Sequence, residues 1–294
     1  MRIFVTGATG FVGSAVVREL IDAGHQVVGL ARSDKAAASL TATGAEVHRG
    51  ALDDLDSLRS GAAAADGVIH LAFIHDFLNF AAACEADRLA IETIGAVLEG
   101  SGKPFVGTSG TLMLPPGRIG TEEVEPASGG PRRSEEATLS LASRGVRASV
   151  VRLAPSVHGN GDHGFVSTLI DIAREKGVSA YVGDGLNRWP AVHQLDAARL
   201  FRLALEKGET GGRYHGVADE GVPFRDIAAV IGRQLNLPVA SISRAEADGH
   251  FGWISHFASI GEQTSSTLTQ ERLGWRPVHP ALIPDLEQGH YFNR

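Results

Sequence analysis

The feature that most constrains the fold is the glycine-rich segment VTGATGFVG, which comes directly after the first short apolar run of the chain. Gly7, Gly10 and Gly13 have the spacing of a tight turn that joins a strand to a helix. Such a turn can approach a pyrophosphate and place it at the helix amino end. The segment therefore predicts a dinucleotide site, with a purely structural turn as the alternative. The residues expected to line this site are Gly7, Thr9, Gly10, Phe11, Val12 and Gly13.

The first half of the chain alternates short β-branched runs with stretches rich in Ala, Leu and charged residues. This alternation predicts an α/β fold with a Rossmann-like, doubly wound parallel sheet. After Arg152 this alternation becomes less regular, and glycine-rich loops and separate helices follow. This change indicates a small C-terminal substrate lobe. We expect residues 1–155 to form the dinucleotide-binding domain and residues 156–294 to form mostly the lobe, with some segments returning to the first domain. The six predicted strands are IFVTG, QVVGLA, AEVHRG, GVIHLA, KPFVGTS and RASVVRLA.

Charge and cysteine content exclude several classes of protein. The chain has 27 Lys and Arg against 34 Asp and Glu, so its net charge of -7 argues against nucleic acid as a partner. Cys84 is the only cysteine, so no intrachain disulfide can form. We see no leader pattern and no apolar run of the roughly 18 residues that a membrane span needs. We therefore expect a cytoplasmic protein without membrane association, whose partner is a small-molecule substrate.

The end of the second predicted strand indicates which dinucleotide is bound. An acid at this point would bond the ribose hydroxyls of NAD, whereas an Arg accommodates the 2′-phosphate of NADP. The strand ends at Ala31, and Arg32 follows with Lys35 nearby. Because a planar guanidinium matches a phosphate, the sequence predicts NADP bound by Arg32. NAD remains the alternative, with Arg32 on a solvated loop.

Several motifs together resemble a known family. They are TGATGFVG at 6–13, GVIHLA at 67–72, FVGTSG at 105–110, VVRLAPSVHGNG at 150–161 and AVHQLDAARL at 191–200. Over most of its length the chain resembles the extended and atypical short-chain dehydrogenase/reductase superfamily. That superfamily includes nucleotide-sugar epimerases and hydroxysteroid-dehydrogenase-like reductases. Its members are often dimers, so the resemblance makes a homodimer an expectation.

The resemblance also implies which residues contact the dinucleotide. The loop after GVIHLA would pass the ribose, and the run LAPSV would flank the nicotinamide. Where the family often has an Asp for the adenine, this chain has Ala51, so adenine would be held by the backbone and Leu52. The residues implied are Leu71, Ala72, Pro155, Val157, Ala51 and Leu52.

The chain departs from the family at the catalytic base. The family's usual base is a Tyr, with a Lys four residues later that lowers its pKa. None of Tyr181, Tyr214 and Tyr291 has such a Lys. The helix in which the pair is expected begins instead near the run PRRSEE at 131–136. The sequence therefore resembles an atypical member whose acid–base group is substituted or missing.

Three residues are the candidates to replace the missing Tyr. Ser109 and Thr111 stand at the end of the fifth predicted strand, and ligands of open parallel sheets lie outside the carboxyl ends of the strands. His75 follows the fourth strand and titrates near neutrality, so it could supply a proton. The alternatives are that Ser109 is a turn residue and that His75 is an ordinary loop histidine.

The remaining histidines favour structural roles. The spacing of His158 and His163 suggests a metal site, but a catalytic zinc site normally uses three protein ligands and no third is indicated. We therefore expect no metal. His193 is similar to a family position that anchors the lobe, which favours a structural role.

Two arginine-containing segments and a set of aromatic residues keep both a binding and a structural interpretation. Arg132 and Arg133 stand near the missing Lys and could hold ribose or substrate, or could form a solvated helix start. Arg188 beside Trp189 could grip an anionic or aromatic ligand, or the Trp could pack the lobe onto the sheet. The aromatics that could line an apolar pocket are Phe77, Phe80, Phe251, Trp253 and Phe257.

These observations favour an NADP-dependent oxidoreductase that moves hydride between the nicotinamide and a carbonyl or alcohol of a small, fairly apolar substrate. One alternative is a nucleotide-sugar epimerase or dehydratase, against which the missing Tyr stands. The other is a redox sensor that binds NADP(H) without turnover, which the missing Tyr favours.

Overall fold

Twelve strands and twelve α-helices lie within residues 1–76 and 79–293, the part of the chain that the computed structural model describes. No helix in these ranges is long and apolar enough to cross a membrane. The strands are β1 (Arg2–Thr6), β2 (Gln26–Ala31), β3 (Glu46–Arg49), β4 (Gly67–His70), β5 (Pro104–Gly110), β6 (Arg147–Leu153), β7 (Ser156–His158), β8 (Ser179–Val182), β9 (Arg188–His193), β10 (Gly212–Gly216), β11 (Asp219–Pro223) and β12 (Val239–Ile242). The helices are α1 (Phe11–Asp22), α2 (Asp34–Thr43), α3 (Leu55–Ala63), α4 (Phe80–Leu98), α5 (Ser134–Ser140), α6 (Phe165–Lys176), α7 (Gln194–Lys207), α8 (Phe224–Leu235), α9 (Arg244–Phe251), α10 (Ser255–Ser259), α11 (Thr267–Leu273) and α12 (Leu282–Glu287).

Seven of these strands form one parallel sheet in the spatial order β10-β6-β5-β4-β1-β2-β3. The six strands predicted from sequence are all in it, and the predicted α/β, doubly wound fold is confirmed. Strand order reverses at β1, which has β2 on one side and β4 on the other. In open parallel sheets this reversal opens a crevice at the carboxyl ends of the strands, where ligands bind. The turn after β1 and the loop after β4 border that crevice.

Side-chain alternation along the strands builds a separate core on each face of the large sheet. In β1, Ile3 and Val5 belong to one buried cluster, which α1 and α7 cover. Phe4 points to the opposite face and packs in a second cluster with residues of α3 and α4. Burial on both faces explains why the strands read as continuous apolar runs rather than as an alternation of polar and apolar residues.

Two later segments of the chain also pack on the large sheet. Strand β10 adds an edge next to β6, and α7 lies against α1. Trp275 follows α11, is fully buried in the same core, and donates its indole N–H to Asp196 O at 3.0 Å. Residues beyond 156 therefore contribute to the core of the large sheet as well as to the lobe.

The lobe has its own core and two small sheets, in the orders β11-β9-β7 and β12-β8. Trp189 is buried there, edge-on to Phe165 and Phe224, so it packs the lobe interior. Phe251 belongs to the same core, whereas Trp253 is exposed. Phe77 lies outside the described residues.

An ion pair inside the protein ties α5 to the sheet. Arg152 on β6 is fully buried and donates from Nε and a terminal nitrogen to the two carboxylate oxygens of Glu135, at 2.8 and 2.5 Å. Arg213 on β10 donates to the same carboxylate at 2.9 Å. Charges away from water are tolerated only when they are paired and hydrogen-bonded as these are.

We expect Glu135→Ala to lower the free energy of unfolding by about 3–5 kcal/mol, because it leaves the Arg152 charge buried without a partner. Glu136→Ala is the matched control, since Glu136 is exposed and pairs with Arg133 at the surface. Urea denaturation midpoints compared at constant m measure the difference. Equal midpoints for the two variants would contradict the assigned role of the buried pair.

Candidate functional site

The amino end of α1 presents free backbone N–H groups at the crevice. Gly10 caps the helix without any side-chain hydrogen bond, and the first amide that bonds back is that of Ser14, to Gly10 O at 2.9 Å. The N–H groups of Phe11, Val12 and Gly13 find no acceptor among the described residues. Free amides and the helix dipole together favour a negative group at this position. The predicted pyrophosphate site is therefore chemically suited to its ligand.

Two glycines of the turn are required by close backbone contacts. Gly7 has φ +66°, and a Cβ there would lie 2.7 Å from the amide nitrogen of Ala72. A Cβ on Gly13 would lie 2.0 Å from the carbonyl oxygen of Gly7. The turn, the helix and the loop after β4 therefore meet at distances that no other residue type allows. Thr9 and Gly10 are exposed at the tip of the turn, open to a ligand.

The loop after β4 is fixed beside the turn by one hydroxyl. Thr6 Oγ1 accepts the backbone N–H groups of Leu71 and Ala72, both at 3.2 Å. The structure thus places these two residues, predicted to pass the ribose, directly against Gly7.

Arg32 is the residue predicted to bind a 2′-phosphate. It is exposed after β2 and makes no hydrogen bond or ion pair with the described residues. The two residues that follow it already have partners: Ser33 caps α2, and Asp34 pairs with Arg49 at 2.7 Å.

The residues predicted to hold the adenine follow β3. Ala51 is half-buried and Leu52 is buried in the core, where its side chain is apolar and offers no hydrogen-bonding group.

Behind the crevice runs a chain of buried hydrogen bonds that sequence reasoning missed. Thr6 Oγ1 lies 2.9 Å from His70 Nδ1, and His70 Nε2 lies 3.1 Å from Asp87 Oδ1. Ser134 donates to Asp87 Oδ2 at 2.5 Å. Every donor in this chain has an acceptor when His70 accepts from Thr6 at Nδ1 and donates to Asp87 from Nε2. Burial alone would raise the pKa of Asp87, but the bonds from His70 and Ser134 and the charge of Arg132 lower it below its usual value.

This chain of bonds ends at a guanidinium. Arg132 Nε donates to Ser134 Oγ at 3.3 Å, and its guanidinium carbon lies 4.6 Å from the ring centre of Phe73. Its two terminal amino groups have no hydrogen-bond partner among the described residues. Burial lowers the pKa of Arg132, although Asp87 partly offsets this effect.

Arg132 shares this edge of the crevice with two histidines, and we call the three the basic rim (Arg132, His75 and His163). The ring of His75 lies edge-on to Phe73 at 5.4 Å, and the ring of His163 lies edge-on to Phe11 at 5.9 Å. Partial burial and the charge of Arg132 lower the pKa of His75, and His163 contributes to the same shift. The rim therefore spans from the loop after β4 to the start of α1.

The two candidates at the carboxyl end of β5 have different surroundings. Ser109 is 5% exposed and its side chain makes no hydrogen bond with the described residues, so it can serve a ligand at the carboxyl end of the strand. Thr111 is fully buried and donates to Glu262 Oε1 at 2.5 Å. Burial raises the pKa of Glu262, against the effect of that hydrogen bond. Pro155, between β6 and β7, and Val157, within β7, are half-buried.

The other predicted candidates lie within the lobe or at its surface. His158 is fully buried and bonds to Asp285 at 2.9 Å, while His193 caps α7 by accepting the N–H of Leu195. Within the described ranges no group of three or more His, Cys, Asp or Glu could hold a metal ion. Arg188 donates to the carbonyl oxygen of Gly221 at 3.0 Å.

We expect Gly13→Ala to cost about 1–3 kcal/mol of stability, because the new Cβ forces the turn away from Gly7. Gly249→Ala in α9 is the control, since nothing lies within 4 Å of the added atom and it should stabilise the helix by about 0.5–1 kcal/mol. Urea midpoints of the two variants measure this difference. A Gly13→Ala protein as stable as wild type would show that the turn is not closely packed.

The chain is similar to known proteins in sequence and in structure. A family model described as the NAD dependent epimerase/dehydratase family matches residues 3–86. The chain is 54% identical to an uncharacterized protein of Schizosaccharomyces pombe over 99% of this chain and 100% of that protein. It is 49% identical to an uncharacterized protein of Saccharomyces cerevisiae over the full length of both.

More distant matches carry functional names. The chain is 29% identical to a dihydroquinoline-oxide ketoreductase of Stigmatella aurantiaca, over 73% of this chain and 67% of that protein. The structure of a dTDP-glucose 4,6-dehydratase from Streptomyces venezuelae, with NAD bound, superposes with a TM-score of 0.79 at 20% identity, covering 100% of this chain and 98% of that one. This likeness shows the fold.

Proposed function

The chain belongs to the NAD-dependent epimerase/dehydratase family of the short-chain dehydrogenase/reductase superfamily, and we propose that it is an NADP-dependent oxidoreductase acting on a carbonyl or alcohol of a small substrate. The observation that supports this most is the free amino end of α1, joined to a glycine turn with no room for a Cβ at Gly7 or Gly13. A dinucleotide bound there would supply or accept the hydride at its nicotinamide.

The protein's own residues would act on the oxygen of the reacting group. Negative charge grows on a carbonyl oxygen as its carbon accepts hydride, and donors fixed in advance stabilise that charge. The Ser109 hydroxyl is an unengaged donor at this end of the crevice and would donate to that oxygen. His75 on the basic rim is the candidate proton source, because an imidazole can hold a proton and release it to an oxygen.

The absent Tyr–Lys pair bears on the alternatives. Epimerases and dehydratases of this fold resemble the chain in architecture, but the resemblance assigns their base to the Tyr that is missing here. The same absence favours a cofactor-binding sensor without turnover as the second candidate. The unengaged donors beside the crevice favour catalysis over the sensor.

We expect NADPH to bind roughly 10–100-fold more tightly than NADH, since a charge-assisted bond from Arg32 to the 2′-phosphate is worth about 1.5–3 kcal/mol. Isothermal titration of the cofactor-stripped protein measures both affinities. Arg32→Ala should remove the preference and leave NADH affinity unchanged. Arg49→Ala is the control, because Arg49 is already paired with Asp34.

Equal affinities for the two cofactors in the wild type would contradict the assignment of NADP while leaving the dinucleotide site intact. Binding of neither cofactor would contradict the proposed function itself.

A further inference from the structure

Arg132 is a cation in a partly buried position without a direct counter-ion. No carboxylate of the described residues forms an ion pair with it, and Asp87 is reached only through the hydroxyl of Ser134. By contrast, the fully buried Arg152 has the two oxygens of Glu135 against it. A desolvated charge without a partner is costly, and an anionic ligand would relieve that cost.

The orientation of Arg132 leaves its binding edge free. Nε is held by Ser134, and one face of the guanidinium covers Phe73. The two terminal amino groups remain, and a guanidinium presents such groups in a planar fork that matches the two oxygens of a carboxylate. Ser134 in turn donates to Asp87, which His70 also bonds, so the fork is fixed before any ligand arrives.

The surroundings of the fork also favour an anion. The titratable groups that act on it or on its neighbours are His75 and His163 on the basic rim, with Asp87 and Cys84 behind. The Cys84 thiol is buried and its pKa is raised, so it stays neutral. Asp87 is the carboxylate that acts on Arg132, and its oxygens are already used by His70 and Ser134. Asp162 acts on His163 and accepts from Gly164 and Tyr291.

The cofactor does not account for this cation. Its pyrophosphate would be met by the free amides of α1, and its 2′-phosphate by Arg32 after β2, which lies across β1 from β4. Arg132 contacts Phe73 in the loop after β4, on the opposite side of β1 from Arg32. The pyrophosphate and the 2′-phosphate thus already have their binding groups. The negative group that Arg132 would bind therefore belongs to the substrate.

We propose, on the basis of the proposed function, that the substrate is a small oxo acid, or the hydroxy acid formed from it, and that Arg132 binds its carboxylate. In the reduction, the carbonyl carbon accepts hydride from the reduced nicotinamide and the carbonyl oxygen accepts a proton. The cofactor is oxidised, the carbonyl becomes an alcohol, and the carboxylate is unchanged.

The test compares 2-oxobutanoate and 3-oxobutanoate with their methyl esters, using NADPH. Because removing one partner of a desolvated, hydrogen-bonded charge pair has a large effect, Arg132→Gln should lower kcat/KM for the preferred acid roughly 100-fold, mainly through KM. Activity on the ester and the Kd for NADPH should stay within about threefold. Arg132→Lys should recover part of the loss, and Arg133→Gln, whose arginine pairs with Glu136 at the surface, should behave as wild type.

Equal losses on acid and ester would overturn the inference and assign Arg132 to the carbonyl oxygen. A raised Kd for NADPH in Arg132→Gln would overturn it in favour of a cofactor contact. A wild-type enzyme that reduces esters as well as acids would overturn it too, while the proposed function stands.

A second measurement keeps the inference testable if no carbonyl is reduced and the proposed function fails. Oxamate has a carboxylate beside an amide carbonyl and is not reduced, so its titration into the NADP-loaded protein reports carboxylate recognition alone. We expect binding that Arg132→Gln abolishes and Arg133→Gln retains. Absent binding, or binding that Arg132→Gln leaves unchanged, would overturn the assignment of Arg132.

Discussion

The crevice depends on the close contact between the turn after β1 and the loop after β4. Gly7 makes that contact possible, because any Cβ would meet the backbone of Ala72. Thr6 holds it, since its hydroxyl accepts two amides of the loop and faces His70. The same hydroxyl therefore connects the cofactor turn to the buried bonds that end at Arg132, so that the groups expected to meet cofactor and substrate share one support.

The fold could be predicted from sequence because its determinants are local. Runs of β-branched residues separated by helical stretches define a parallel sheet, and the glycine spacing at 7, 10 and 13 defines its first turn. The return of β10 to the edge of the sheet is harder to predict, because GRYHG has little β-branched character and gains its strand geometry from pairing with β6. Tertiary pairing outweighs propensity there.

The site was predictable in part. Residues at the ends of strands were found because topology alone brings them to one edge. Asp87 was missed, although a carboxylate on the buried face of α4 among Ala83, Ala90 and Ile91 is a signal in itself. The hydrogen bond between Thr111 and Glu262 joins residues 151 positions apart, so no local sequence pattern predicts it. Arg132 was noticed only by its nearness to the missing Lys, since its lack of a counter-ion is a property of the folded chain.

We propose that this crevice transfers hydride without the Tyr–Lys pair. The most direct measurement uses NADPH carrying deuterium at the reactive carbon of the nicotinamide, with 2-oxobutanoate and a broad panel of other small carbonyl compounds. The account predicts that deuterium appears at the carbinol carbon of the product and that the reaction slows with the labelled cofactor. Tight cofactor binding with no label transferred to any carbonyl would contradict it and indicate a binding protein.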